Sequence, residues 1–166
     1  MPTSPEDAPA DEPPSADQLP VGDDEELMRR FLEGRKNYDR RKEPPLQAGT
    51  YLPSKRDGDG LSLNRRVSAA RPSFLTPSQL KTWHEVPENI RETCGVVGVM
   101  AAAVREVGLT VEPDPASTPG HVLIRQLNWD DFAGSRETNE SRDAILYWAL
   151  RLAQVARVLI PPGKAA

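Results

Sequence analysis

A chain of 166 residues with 37% hydrophobic side chains, 5% aromatic side chains and seventeen prolines holds one modest core rather than two. Its single cysteine, Cys94, excludes an intramolecular disulfide and a multi-cysteine zinc site. The formal charge of −4 conceals three blocks, −9 over residues 1–26, +7 over 27–72 and −2 over the remainder.

Residues 1–22 read as a disordered, acidic, proline-rich arm. Six prolines fall in the first twenty residues, and almost no large apolar side chain is present to offset the cost of ordering the backbone. The spacing then predicts a short amphipathic helix over 23–34. Asp23 and Glu26 stand at capping-box separation, Val21 is placed as a staple, and Gly34 is placed to stop the helix. Leu27, Met28, Phe31 and Leu32 would form its apolar stripe. Three turns are marginal in isolation, so such a helix needs a surface to dock on, and a partner protein is the functional candidate. Leu27, Met28, Phe31 and Leu32, with Arg35, Arg40 and Arg41 beside them, are the residues expected to bind that partner.

Residues 35–56 read as a basic linker broken by Pro44-Pro45. A compact α+β domain is expected over 57–160, followed by a tail, 161–166. Within it, Asp57-Gly-Asp59-Gly60 signals a turn and Leu61–Asn64 a short strand. Thr76-Pro77 marks a helix start, and Gly95–Val99 is a buried apolar strand. Ala101–Val107 is a helix stopped by Gly108. Leu109–Val111 and His121–Leu127 are further strands, with Val122 and Ile124 on one face and His121, Leu123 and Arg125 on the other. A long helix over roughly 139–159 closes the chain, its stripe running through Ile145, Trp148, Ala149, Leu152, Val155, Ala156 and Leu159. The expected fold is α+β: a small sheet of about three to four short strands packed against that long C-terminal helix.

Candidate chemistry is sparse. The Asp-Gly-Asp-Gly run lacks a bidentate acid at the twelfth position of a calcium loop, where Ser68 stands, so it is a turn. Cys94 precedes an apolar run, which suits a small buried thiol better than a nucleophile. His121 with Arg65 is the one pair that offers acid–base chemistry beside an anion-binding group. A histidine satisfied at a strand end is the commoner alternative. The bases between Arg29 and Lys42, with Tyr38 among them, would suit single-stranded nucleic acid, but Glu33, Asp39 and Glu43 dilute their charge. Neither a Gly-rich phosphate loop nor a GxSxG elbow occurs.

Two stretches, Asp57–Arg65 and Val104–Pro115 closed by Pro119–Ile124, resemble a group of small uncharacterised bacterial proteins. The resemblance covers about residues 55–127 and implies that these residues form one folded unit. It implies no activity.

The sequence therefore favours a non-enzymatic protein-binding or regulatory module. One alternative is a small enzyme acting on a nucleotide or nucleic acid through Arg65 and His121, and another is nucleic-acid binding through residues 29–42. No cofactor or metal is expected. No apolar run approaches the length of a bilayer span and no secretory signal opens the chain, so no membrane association and a cytoplasmic location are expected.

Overall fold

The computed structural model describes residues 16–52, 67–84, 86–114, 120–127 and 139–163. Within them the strands are β1 (Glu26–Phe31), β2 (Ser68–Ala70), β3 (Gly95–Met100), β4 (Val111–Pro113), β5 (His121–Ile124) and β6 (Arg157–Ile160). The helices are α1 (Pro77–Lys81), α2 (Glu88–Thr93), α3 (Ala101–Val107) and α4 (Asn139–Val155). All six strands join one antiparallel sheet in the order β4-β5-β2-β1-β3-β6. The α+β class holds, but the sheet is larger than the three to four strands expected.

The stretch expected to be a docking helix, 23–34, contains an inner strand of this sheet instead. β1 pairs with β3 in unbroken register from Glu26↔Met100 to Phe31↔Gly95. A strand covered on both faces carries apolar residues at odd and even positions, which imitates a helical stripe. Leu27 and Phe31 enter the main core with Val97, Val99, Val122 and Ile124. Met28 faces the other way, into a smaller cluster with Ala70, Leu75, Leu80 and Val96.

The two arginines of β1 find carbonyl acceptors. Arg29 Nε donates to Thr50 O at 2.9 Å and Nη1 to Ser68 O at 2.8 Å. Arg30 Nη1 donates to Leu80 O at 2.9 Å. Burial draws the Arg29 guanidinium down to about 10 and lowers Arg30 in the same direction.

Helices cover both faces of the sheet. α1 packs on the Met28 face, against β1, β3 and β6. Its start is as the sequence predicts: Gln79 N donates to Thr76 Oγ1 at 3.2 Å, Thr76 N donates to Gln79 Oε1 at 2.9 Å, and Pro77 occupies the first turn. The other face holds α3, α4 and a 3₁₀ turn, Ala48–Tyr51. α3 ends at Gly108, whose φ of 104° is readily adopted only by glycine. Ile145, Ala149, Leu152 and Ala153 turn α4 onto the core. Burying Ile145 or Leu152 contributes about 1.5–3 kcal/mol, and Leu152→Ala would open a cavity costing about 2–5 kcal/mol.

Three boundaries differ from expectation. The long helix ends at Val155, and Arg157–Ile160 forms β6, paired with β3 around a bulge at Val96/Val97. The arm joins the core at Val21, which is buried, whereas the 3₁₀ turn Ala16–Gln18 before it buries no residue, and residues 1–15 lie outside the described residues. The tail is tied down at Gly163, whose N–H donates to Thr93 O at 2.7 Å. The Asp57–Gly60 turn, the Leu61–Asn64 strand and Arg65-Arg66 also lie outside the described residues.

Candidate functional site

The segment expected to be a basic linker is a folded protrusion. After β1 the chain turns at Gly34 (φ 145°) and doubles back through a bridge between Tyr38 and Leu46. Gln47 N donates to Asn37 O at 2.8 Å, Asp39 N to Pro45 O at 2.8 Å and Gly49 N to Lys36 O at 3.0 Å. Thr50 Oγ1 adds a bond to Asn37 O at 2.9 Å, and Asn37 Nδ2 one to Leu32 O at 2.9 Å. Tyr38 stacks on Phe31 with ring centroids 6.0 Å apart, fastening the protrusion to the sheet.

Asp39 is its internal anchor. Although buried, it accepts from Arg41 Nε and Nη2, each at 3.0 Å, and from Arg41 N at 3.1 Å. These bonds hold the Asp39 carboxyl at about 2, well below the usual range, and raise Arg41. Arg41 is thereby fixed in place, while Arg35, Lys36, Arg40 and Lys42 stand exposed around it. A depression of about 270 Å³ lies between the protrusion and α4, walled by Lys42, Glu43, Pro44, Leu46 and Gln47 on one side and Leu150 and Gln154 on the other. That is below the usual volume of a site enclosing a drug-sized molecule, and it suits a single side chain better.

The residues expected to bind a partner therefore divide. Leu32, Arg35, Arg40 and Arg41 are exposed on or beside the protrusion, whereas Leu27, Met28 and Phe31 are interior and unavailable. Helical spacing grouped Leu27, Met28 and Phe31 with Leu32, and the basic run beside them added the three arginines. Lys36 and Lys42 belong with the exposed set, and their position among the basic residues was the signal.

His121 opens β5 opposite Ala70 of β2. Its Nδ1 lies 3.0 Å from Asp114 Oδ2 and 3.0 Å from Asp114 O. This His–Asp pair, formed between the end of β4 and the start of β5, directs Nε2 away from the carboxylate, an arrangement suited to accepting a proton. Asp114 was missed from sequence because the β4–β5 register, Pro113 opposite Val122, which sets it beside His121, is not given by residue spacing. Arg65, its expected companion, is outside the described residues.

Cys94 is fully buried, 3.7 Å from Lys81 O, which suits the structural thiol expected. Among the described residues, no three His, Cys, Asp or Glu side chains gather where a metal ion could be held. No described helix is long and apolar enough to cross a membrane. No family model matches the chain, and no curated protein or solved structure matches it either.

Proposed function

We propose that this chain is a non-enzymatic protein-binding module whose recognition surface is the basic protrusion, and that it takes an acidic segment of another protein. The observation that carries this reading is the way Arg35, Lys36, Arg40 and Lys42 are displayed on a turn locked by Asp39, Asn37 and the Tyr38–Phe31 stack. Fixed backbone lowers the ordering cost of binding, and same-sign charges on one edge steer an oppositely charged segment. The adjoining depression supplies an apolar anchor point between Leu46 and Leu150.

Protein is favoured over nucleic acid for one reason. Tyr38, the aromatic ring within the basic run, is packed on Phe31 rather than presented for base stacking.

The test is affinity capture with the full chain against the double variant Arg40→Glu/Lys42→Glu, with circular dichroism to verify folding. Recovery of the specific partner is expected to fall by about tenfold on charge reversal. Equal recovery contradicts the reading, and recovery abolished by nuclease treatment assigns the protrusion to nucleic acid.

A second reading is favoured by one observation, the 3.0 Å contact between His121 Nδ1 and Asp114 Oδ2. It makes the chain a small hydrolytic enzyme acting on a nucleotide, with His121 as the base. Turnover of a nucleotide panel that His121→Gln abolishes would support it, and turnover unchanged in that variant would eliminate it.

A further inference from the structure

The outer side of α4 breaks the rule that a surface helix turns its apolar residues inward. Leu146, Tyr147 and Leu150 are 50%, 58% and 45% exposed, while Ile145, Ala149 and Leu152 already serve the core from the opposite side. Asp143 and Arg151 are exposed on the same outer side, four residues before and four after Tyr147. At 3.6 residues per turn these positions share a continuous face.

We infer that this face binds a second copy of the chain, α4 against α4 in antiparallel orientation about a two-fold axis at Tyr147. The charge pattern of the face selects this partner. In that arrangement Asp143 of each copy stands opposite Arg151 of the other, so two opposite-charge pairs close the ends of the contact. The two Tyr147 rings meet at the axis, and Leu146 of each copy lies beside Leu150 of the other. A parallel arrangement would set Asp143 against Asp143 and Arg151 against Arg151, so the charges select the antiparallel form.

One helix pair buries less than the ~1,200–2,000 Å² of a standard interface. The dimer is therefore reversible and depends on protein concentration. It goes beyond the protrusion reading and uses none of that surface's basic residues. Leu150 also walls the depression, so the test is placed at Asp143, Tyr147 and Arg151, which do not line it.

Sedimentation velocity of the full chain across a concentration series tests the proposal. Wild type is expected to show a monomer–dimer equilibrium. Asp143→Arg and Arg151→Asp are each expected to weaken it by about tenfold, since like charges then face one another. The double exchange Asp143→Arg/Arg151→Asp is expected to restore it, which a merely destabilised fold would not do. Tyr147→Glu should leave a monomer with an unchanged circular dichroism spectrum. A wild-type monomer at every concentration overturns the proposal, as do single reversals without effect or an exchange that fails to rescue. Loss of partner capture in the protrusion variant with dimerisation intact would separate the two surfaces.

Discussion

Glu26 on β1 reaches over β3 to Arg157 on β6, with Oε2 2.6 Å from Nε and Oε1 2.7 Å from Nη2. The crossing is permitted by Gly98, which pairs with both Met28 and Arg157 and whose missing side chain leaves room for the Glu26 stem. A Cβ at that position would lie 2.8 Å from Glu26 Cγ and Cδ. Gly98→Ala is therefore expected to push Glu26 off Arg157 and to destabilise the fold by about 1–3 kcal/mol, as overpacking does. Urea unfolding measures this. In the Glu26→Ala background, where the obstructing stem is gone, the same substitution should cost much less.

Arg71 at the end of β2 ties the segment before β1 to the sheet. Its guanidinium donates to Glu25 Oε1 at 2.7 Å and Oε2 at 2.9 Å, to Leu19 O at 2.6 Å and to Pro20 O at 3.2 Å. It is buried, and Phe74 lies beneath it at 5.8 Å. Arg71→Met takes the guanidinium from two carbonyls and from the Glu25 carboxylate, which keeps its bond from Gly22 N, and is expected to cost about 3–5 kcal/mol. Arg71→Lys should recover only part of this, because an ammonium cannot span that fork. Denaturation midpoints of the three proteins decide it.

How much of this could be read from the sequence depended on whether local chemistry or pairing decides an element. Thr76-Pro77, the Gly95–Met100 strand and the Gly108 stop were legible, because a cap, an apolar run and a glycine needed for positive φ are local signals. β1 was not. Leu27, Met28 and Phe31 fit a helical stripe, and two arginines in an inner strand read as a solvated face until the acceptors Thr50 O, Ser68 O and Leu80 O are placed. β2 is three residues, Ser-Ala-Ala, with no alternation, and exists because β1 and β5 pair with it. At the site, the basic residues were visible but the Asp39 anchor was not, since its burial follows from a turn closed by Leu46.

Acid should weaken the fold through three carboxyls. Hydrogen bonds from Arg41 hold Asp39 at about 2, and those from Arg157 lower Glu26. Burial pushes Glu25 up, but hydrogen bonds from Arg71 and Gly22 N outweigh it and leave it lowered. Each group is more acidic folded than unfolded, so the unfolded chain takes up the proton first. The stabilisation is complete above about pH 5 and is lost as pH falls towards about 2. Carboxyl titration by NMR should find Asp39 the most acidic of the three, and Arg41→Ala should return it towards the ordinary range of about 3.9.

Tyr51 is wholly buried in the core, and its hydroxyl has no hydrogen-bond partner among the described residues. Burial raises its pKa far above the usual value, so it stays neutral. A buried hydroxyl without a partner costs about 1–3 kcal/mol. Tyr51→Phe keeps the ring and removes that cost, and is expected to raise the unfolding midpoint. A lowered midpoint would mean that the hydroxyl contributes through the nearby Arg29.

The most direct measurement for the protrusion is a zero-length carboxyl-to-amine crosslink on the full chain with its captured partner, mapped by mass spectrometry. Lys36 and Lys42 are expected to be joined to Asp or Glu side chains of another protein, while Lys81, which donates to Cys94 O, is not. Crosslinks from Lys36 and Lys42 that run only to this chain's own carboxylates, or none from either, would contradict it.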